Sequence, residues 1–192
     1  MNLQYFKRDS YISVICQASG FFDIFYIGEG ETVYNELLDA YKEWKASGAP
    51  RKEFLERAAE IPGLYVPAFY DVTYNEDGTI ASFEPNNVHA KRTIEKQMVL
   101  DITNTYYPEK PVVPFIKVTQ DRVVLEIQRG CIRGCRFCQA GMLYRPTRER
   151  DLERLKKYAY QMLKSTGHEE ISLSSLSSSD YSQLQGIVKF SD

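Results

Sequence analysis

The sequence predicts an α/β chain with two stretches of regular structure joined by a connector. Three observations carry this. A short apolar run, a glycine turn and an amphipathic helical pattern follow one another between residues 21 and 48. Three prolines at 108, 111 and 114 then interrupt any regular element. After residue 115 the pattern reads strand, loop, helix, strand, loop, helix, which is the repeating unit of a parallel α/β sheet or barrel. The expected segments are 1–62, 63–114 and 115–192.

No element is assigned to the first twenty residues, which carry no clear period. "FFDIFYIG", Phe21 to Gly28, is aromatic and isoleucine-rich and ends in glycine, so it predicts a buried strand. "GEGE" lacks the full Gly-x-Gly-x-x-Gly pattern and predicts a tight turn into a helix. In "TVYNELLDAYKEWKAS", Tyr34, Leu37, Leu38, Tyr41, Trp44 and Lys45 fall at helical spacing, with Gly48 as the stop. "PRKEFLERAAE" predicts a second helix with Pro50 at its start and Pro62-Gly63 after its end. The alternation of "FYDVTYNEDGTIASF" around Asp77-Gly78 predicts a hairpin within the connector. "FIKVTQDRVVLEIQRG" predicts a hairpin-like turn at Gln120-Asp121 and an apolar strand, Val123 to Ile127. In "RDLERLKKYAYQMLKSTG" one stripe joins Leu152, Leu155, Tyr158, Ala159, Met162 and Leu163, with Asp151 as cap and Gly167 as stop. "EEISLSS" predicts the next strand. Ser179 or Asp180 is placed to cap a last helix starting near Tyr181, itself a core residue.

The bulk numbers are those of an ordinary soluble protein: 192 residues, 43% apolar, 26% charged, net charge −2. This balance excludes a strongly basic nucleic-acid protein. No run of 18 apolar residues exists, and the start has no basic cap ahead of a long apolar core. Neither a membrane span nor a secretory signal is expected, and the expected compartment is the cytoplasm. Of four cysteines three are clustered, which favours a metal or redox site over a disulfide framework.

That cluster lies in "GCIRGCRFCQAGMLYRP", which puts Cys131, Cys135 and Cys138 within eight residues, directly after a predicted strand. Metal sites on α/β folds sit at the carboxyl ends of strands. The serine-rich stretch after "EISL" ends the neighbouring strand, so two strand ends can face one ligand. Three thiolates can hold a [4Fe–4S] cluster with one iron left without a protein ligand. They can also hold zinc, which would want a fourth ligand from His89, His168 or Cys16. Neither histidine is at ligand spacing, and Cys-x3-Cys-x2-Cys differs from the paired knuckles of zinc ribbons. A non-catalytic iron–sulfur or zinc module that binds a partner is the alternative reading of the same residues.

Cys-x3-Cys-x2-Cys after a strand and before a helix, with Phe137 just ahead of the third cysteine, resembles the radical S-adenosylmethionine (SAM) superfamily. The run "LEIQRGCIRGCRFCQAGMLYRPTRER" followed by "EEISLSSLSSSDY" looks like radical SAM proteins that carry a cobalamin (B12)-binding-type domain ahead of the barrel. "DIFYIGEGE" resembles the last strand and turn of that Rossmann-like domain, and the likeness covers about residues 21 to 188.

The resemblance implies the opening β/α units of a partial TIM-type barrel, preceded by the tail of a Rossmann-like, B12-binding-type domain. It implies that Cys131, Cys135 and Cys138 ligate three irons. The fourth iron would chelate SAM, whose reductive cleavage gives a 5′-deoxyadenosyl radical. Phe137 would lie near the adenine. Ser174, Ser175 and Ser177 stand where the superfamily often has a Gly-Gly-Glu stretch for the SAM amino group. Six arginines (129, 133, 136, 145, 148, 150), one carboxylate, Glu149, and no lysine lie between residues 129 and 150. Guanidinium groups would stabilise an anionic cluster and the SAM carboxylate, and Arg145 is the candidate contact, the others being expected to solvate the loop and helix start. The resemblance implies that "GEGE" borders a cobalamin pocket, although the Asp-x-His-x-x-Gly motif that supplies a cobalt ligand is absent and the sequence holds two histidines. Implied partners are an electron donor such as flavodoxin or ferredoxin and a substrate, RNA or protein. A full barrel takes about 250 residues, and only 54 follow Cys138. The chain therefore reads as the middle of a longer protein, with an uncovered sheet edge open to self-association.

Overall fold

The computed structural model describes residues 20–116 and 118–191, which fall into two units divided between Val99 and Leu100. Among the described residues the fold is mixed α/β, with four two-stranded sheets and no closed barrel. No helix there is long and apolar enough to cross a membrane.

In the first unit the expected strand is short: only Phe25–Tyr26 (β1) is extended and paired. Phe21 and Phe22 are 87% and 59% exposed, so an eight-residue apolar run does not become an eight-residue buried strand. β1 pairs antiparallel with Leu64–Tyr65 (β2). Among the described residues of this unit, Rossmann-like parallel pairing is limited to one bridge between Gly28 and Gln97. "GEGE" is the tight turn the sequence predicts. Gly28 sits at φ +139°, and a Cβ there would lie 2.2 Å from the Gln97 carbonyl oxygen, so only glycine permits this approach. The Glu29 amide donates to that same oxygen at 3.0 Å.

Helices Tyr34–Ser47 (α1) and Arg51–Glu60 (α2) lie where their patterns put them. Gly48 ends α1 in the left-handed conformation at φ +69°, and Pro50 precedes α2. Ala58, Ile61, Leu64 and Val33 form the core between them. The apolar stripe of α1 is only partly covered: Tyr34, Leu38 and Tyr41 stay exposed and line an open apolar groove with Ile24, Tyr26 and Phe54. Tyr70–Tyr74 (β3) and Ile80–Pro85 (β4) form the predicted antiparallel hairpin, turning at Gly78 with φ +80°. Tyr65, Tyr70 and Phe83 pack ring on ring beside Val66 and Ile94. Residues 63–99, expected as connector, thus supply core to this unit.

The second unit is built on Val123–Glu126 (β5) and Ile171–Ser174 (β8), paired in parallel with Glu126 opposite Ser174. Leu152–Thr166 (α4) makes the crossover between them. Its predicted stripe is buried: Leu155, Tyr158, Ala159 and Met162 close on Val123, Leu125 and Ile127. Asp151 caps α4 by accepting the Arg154 amide at 3.0 Å, and Gly167 ends it at φ +75°. Burying these side chains stabilises by about 1.5–3 kcal/mol for each large one. Before β5 there is a turn at 119–120 but no paired strand among the described residues, and Phe115 is fully exposed, so the hairpin-like reading reduces to a turn. The last helix, Leu184–Ser191 (α5), begins later than expected. Ser178–Asp180 forms a 3-10 turn instead, and Tyr181 goes into the core, donating its hydroxyl to the Arg150 carbonyl at 2.9 Å.

Candidate metal centre

The three-cysteine loop leaves the carboxyl end of β5 through Gln128–Arg129 (β6) and returns through a short helix, Ala140–Leu143 (α3), to Arg148–Glu149 (β7). β6 and β7 pair antiparallel and close the base of the loop. Gly130 starts it at φ +86°, pressed against the carbonyls of Tyr144 and Pro146. Cys131 and Cys138 are half-buried and Cys135 exposed, and all three are free thiols. The Cys138 amide donates to the Cys135 carbonyl at 3.1 Å, which turns the second half of the loop. The Arg133 amide donates to Cys131 Sγ at 3.4 Å.

Soft thiolates on one accessible loop are the donor set that iron–sulfur clusters and zinc take, so the residues fit such a group chemically. In this structure, among the described residues, no three Cys, His, Asp or Glu side chains form a group that could hold a metal ion. The other zinc ligands considered lie elsewhere. His89 Nδ1 is 2.8 Å from Glu60, and His168 Nδ1 is 3.6 Å from Asp121, at the far end of β8 from the loop. Cys16 lies outside the described residues.

Of the arginines expected to solvate the loop, two are instead buried structural groups. The Arg150 side chain has no exposed surface. It donates through Nε to the Glu126 carbonyl at 3.1 Å, through Nη2 to Glu126 Oε2 at 3.0 Å, and through Nη1 to the Ile102 carbonyl. Its guanidinium lies 4.7 Å from the Tyr107 ring centre. Arg148, also buried, donates to the carbonyls of Pro146 and Tyr144 and so braces the loop's return. Arg129 donates to the same carboxylate as Arg150, through Nε to Glu126 Oε1 at 2.9 Å and through Nη2 to Oε2 at 3.1 Å. Glu149 accepts from the Ser182 amide at 2.9 Å, holding the approach to α5. Arg136, Arg145 and Phe137 are exposed, Phe137 at 93%.

The serine loop lies at the adjacent strand end. The Ser175 and Ser178 hydroxyls are 3.0 Å apart, and the Ser177 hydroxyl donates to Asp180 Oδ2 at 2.8 Å. The Ser177 carbonyl accepts from Gln128 Nε2 at 2.7 Å, and the Ser174 carbonyl from the Ile127 amide at 3.1 Å. Two of the three serines assigned to a ligand therefore have their hydroxyls committed to the loop itself. The Ser174 hydroxyl has no hydrogen-bond partner among the described residues.

Sequence reasoning missed the tie between the loops. Arg133 Nε donates to Asp180 Oδ2 at 2.9 Å and Nη2 to Oδ1 at 2.5 Å, a bidentate pair across 47 residues of sequence. Asp180, read as a helix cap, is thus an ion-pair partner. The Arg133 guanidinium holds its carboxyl below the usual range, helped by the Ser177 hydroxyl. Arg133 is in turn held more firmly protonated by Asp180 first, and then by the nearby Cys131 and Cys135. An aspartate followed by an aromatic core residue gave no local signal of this, and neither did Gln128, which is 2% exposed.

The chain is similar over 102 residues, 53% of its length, to an uncharacterized protein of Methanocaldococcus jannaschii, at 32% identity. The matched stretch is only 22% of that protein's length, so the chain corresponds to a minor part of it. A family model described as radical SAM proteins, N-terminal, matches residues 16–67, which include β1, α1, α2 and β2. That match relates the chain to the radical SAM superfamily.

Proposed function

We propose that this chain is the cluster-bearing part of a radical SAM protein, with Cys131, Cys135 and Cys138 as ligands to a [4Fe–4S] cluster. The observation that carries this reading is the position of the thiol loop. It leaves the carboxyl end of one strand of a parallel pair, beside a serine loop at the end of the other. The radical SAM N-terminal match in the first unit supports it independently. Such a cluster, held by Cys131, Cys135 and Cys138, would supply the electron for cleavage of a carbon–sulfur bond of SAM.

The chain's own residues would bind and orient. The exposed Phe137 ring offers a face for the adenine, Arg145 a cation for the methionine carboxylate, and Ser174 the hydroxyl at the strand end for the amino group. Ser175 and Ser177 would contribute by shaping the loop. Cobalamin is not included, since no cobalt-ligand motif is present and both histidines face carboxylates. An external donor such as flavodoxin or ferredoxin would supply the electron; the substrate is unassigned, RNA and protein being the candidates.

The test is anaerobic reconstitution with iron and sulfide, followed by iron quantification and EPR of the reduced protein with and without SAM. About four irons per chain, a signal altered by SAM, and loss of both in Cys138→Ala are expected. Bound zinc without iron, or a cluster spectrum indifferent to SAM, overturns the proposal and favours a non-catalytic metal module.

A further inference from the structure

Two contacts cross from the cysteine loop to the serine loop, and both end on one short turn. Gln128, buried at the loop's start, donates to the Ser177 carbonyl at 2.7 Å. Arg133, between the first and second cysteines, forms the bidentate pair with Asp180, whose Oδ2 also accepts the Ser177 hydroxyl at 2.8 Å. Arg133 reaches the thiols as well, because its own amide donates to Cys131 Sγ at 3.4 Å. A fork-shaped donor on a carboxylate fixes orientation as well as distance, which a lysine ammonium would not do.

We propose that Arg133 and Asp180 are positioning residues that clamp the thiol loop onto the serine loop and aim the Arg133 amide at the Cys131 sulfur. This rests on the reading of the cysteines as cluster ligands. Amide donors to ligating sulfur and the charge around a site tune its reduction potential. The pair as a whole is neutral. Removing Arg133 leaves a carboxylate near the site and disfavours the extra electron. Removing Asp180 leaves a guanidinium and favours it. Loosening of the loop has the same sign in both cases, whereas the electrostatic effect has opposite signs.

The experiment uses the full chain and the variants Arg133→Met, Asp180→Ala and the double variant. Hydrogen exchange of the amides of residues 131–138 in the metal-free protein reads the clamp. An acceleration of roughly tenfold in either single variant is expected, with the double no faster than the faster single, as required of two ends of one interaction. The midpoint potential of the reconstituted cluster reads the positioning of charge. It should fall in Arg133→Met and rise in Asp180→Ala. Unchanged exchange in both single variants, or potentials that move together, would overturn the clamp. Failure of the wild-type chain to take up iron would instead defeat the cluster reading, leaving the exchange result to stand by itself.

Discussion

Arg150 is a fully buried tie whose replacement should destabilise the second unit. Replacing it by Met keeps an unbranched apolar side chain of similar length in the same space, so little cavity results. What disappears are donors. The carbonyls of Glu126 and Ile102 lose the guanidinium, and each buried acceptor left unsatisfied costs about 1–3 kcal/mol. The Glu126 carboxylate is not abandoned, because Arg129 still holds it at 2.9 and 3.1 Å. The cation–π contact with Tyr107 goes too, worth about 0.5–2 kcal/mol. Met regains part of this through packing on Tyr107 and Tyr158, leaving a net loss of about 3–5 kcal/mol, the range for breaking a buried ion pair. With a urea dependence of about 1–3 kcal/mol/M, the midpoint should drop by at least about 1 M. The single tryptophan, Trp44, is in the first unit, so its fluorescence is the wrong probe. Hydrogen exchange of the α4 amides at increasing urea reads the right one. A loss below about 1 kcal/mol would refute the view that Arg150 is a buried tie between the Ile102 segment and β5.

Gly130→Ala forces a Cβ to within 2.7–2.9 Å of Tyr144, Pro146 and Thr147 backbone atoms at φ +86°, whereas a Cβ at Gly134 meets nothing within 4 Å. A loss of at least about 2 kcal/mol is expected for Gly130→Ala and under about 0.5 kcal/mol for Gly134→Ala, by thermal unfolding; equal effects would contradict the packed base of the loop. Tyr70 and Tyr181 are each pushed up to about 12 by burial. For an acid whose folded pKa is raised, the stabilisation is whole below the ordinary value of about 10 and is lost as pH rises toward 12. Ultraviolet titration should therefore show a late-ionising class among the 14 tyrosines that includes at least Tyr70 and Tyr181, with Tyr26 and Tyr107 also shifted upward by burial; a single step for all of them with native circular dichroism retained would refute it.

The elements legible in the sequence are those decided within a few residues. The α4 stripe, the Asp151 cap and the stops at Gly48 and Gly167 are local geometry, and each stands where its pattern put it. The hairpin at Gly78 likewise needed only its own turn. Phe21 to Gly28 was misleading because apolar composition does not say whether a partner strand arrives. Among the described residues the strand that does is Leu64–Tyr65, two residues long and antiparallel, with one further bridge from Gly28 to Gln97. The arginines were misread for the same reason. A guanidinium looks solvated until the carboxylate and carbonyls that satisfy it are known, and for Arg150 these lie 24 and 48 residues away. At the site, the three thiols and the serine-rich strand end were visible as types at a spacing. The Arg133–Asp180 contact that joins them was not, since it depends on β5 and β8 lying side by side.

Both faces of the candidate site belong to one crossover connection, from Val123 to Asp180. Synthesis on the ribosome delivers Arg133 of the thiol loop first and its partner Asp180 47 residues later. Once Ile171–Ser174 has docked and Asp180 has emerged, the Gln128–Ser177 and Arg133–Asp180 contacts are both available. Formation of these two contacts is therefore a local event in the order of birth of the chain.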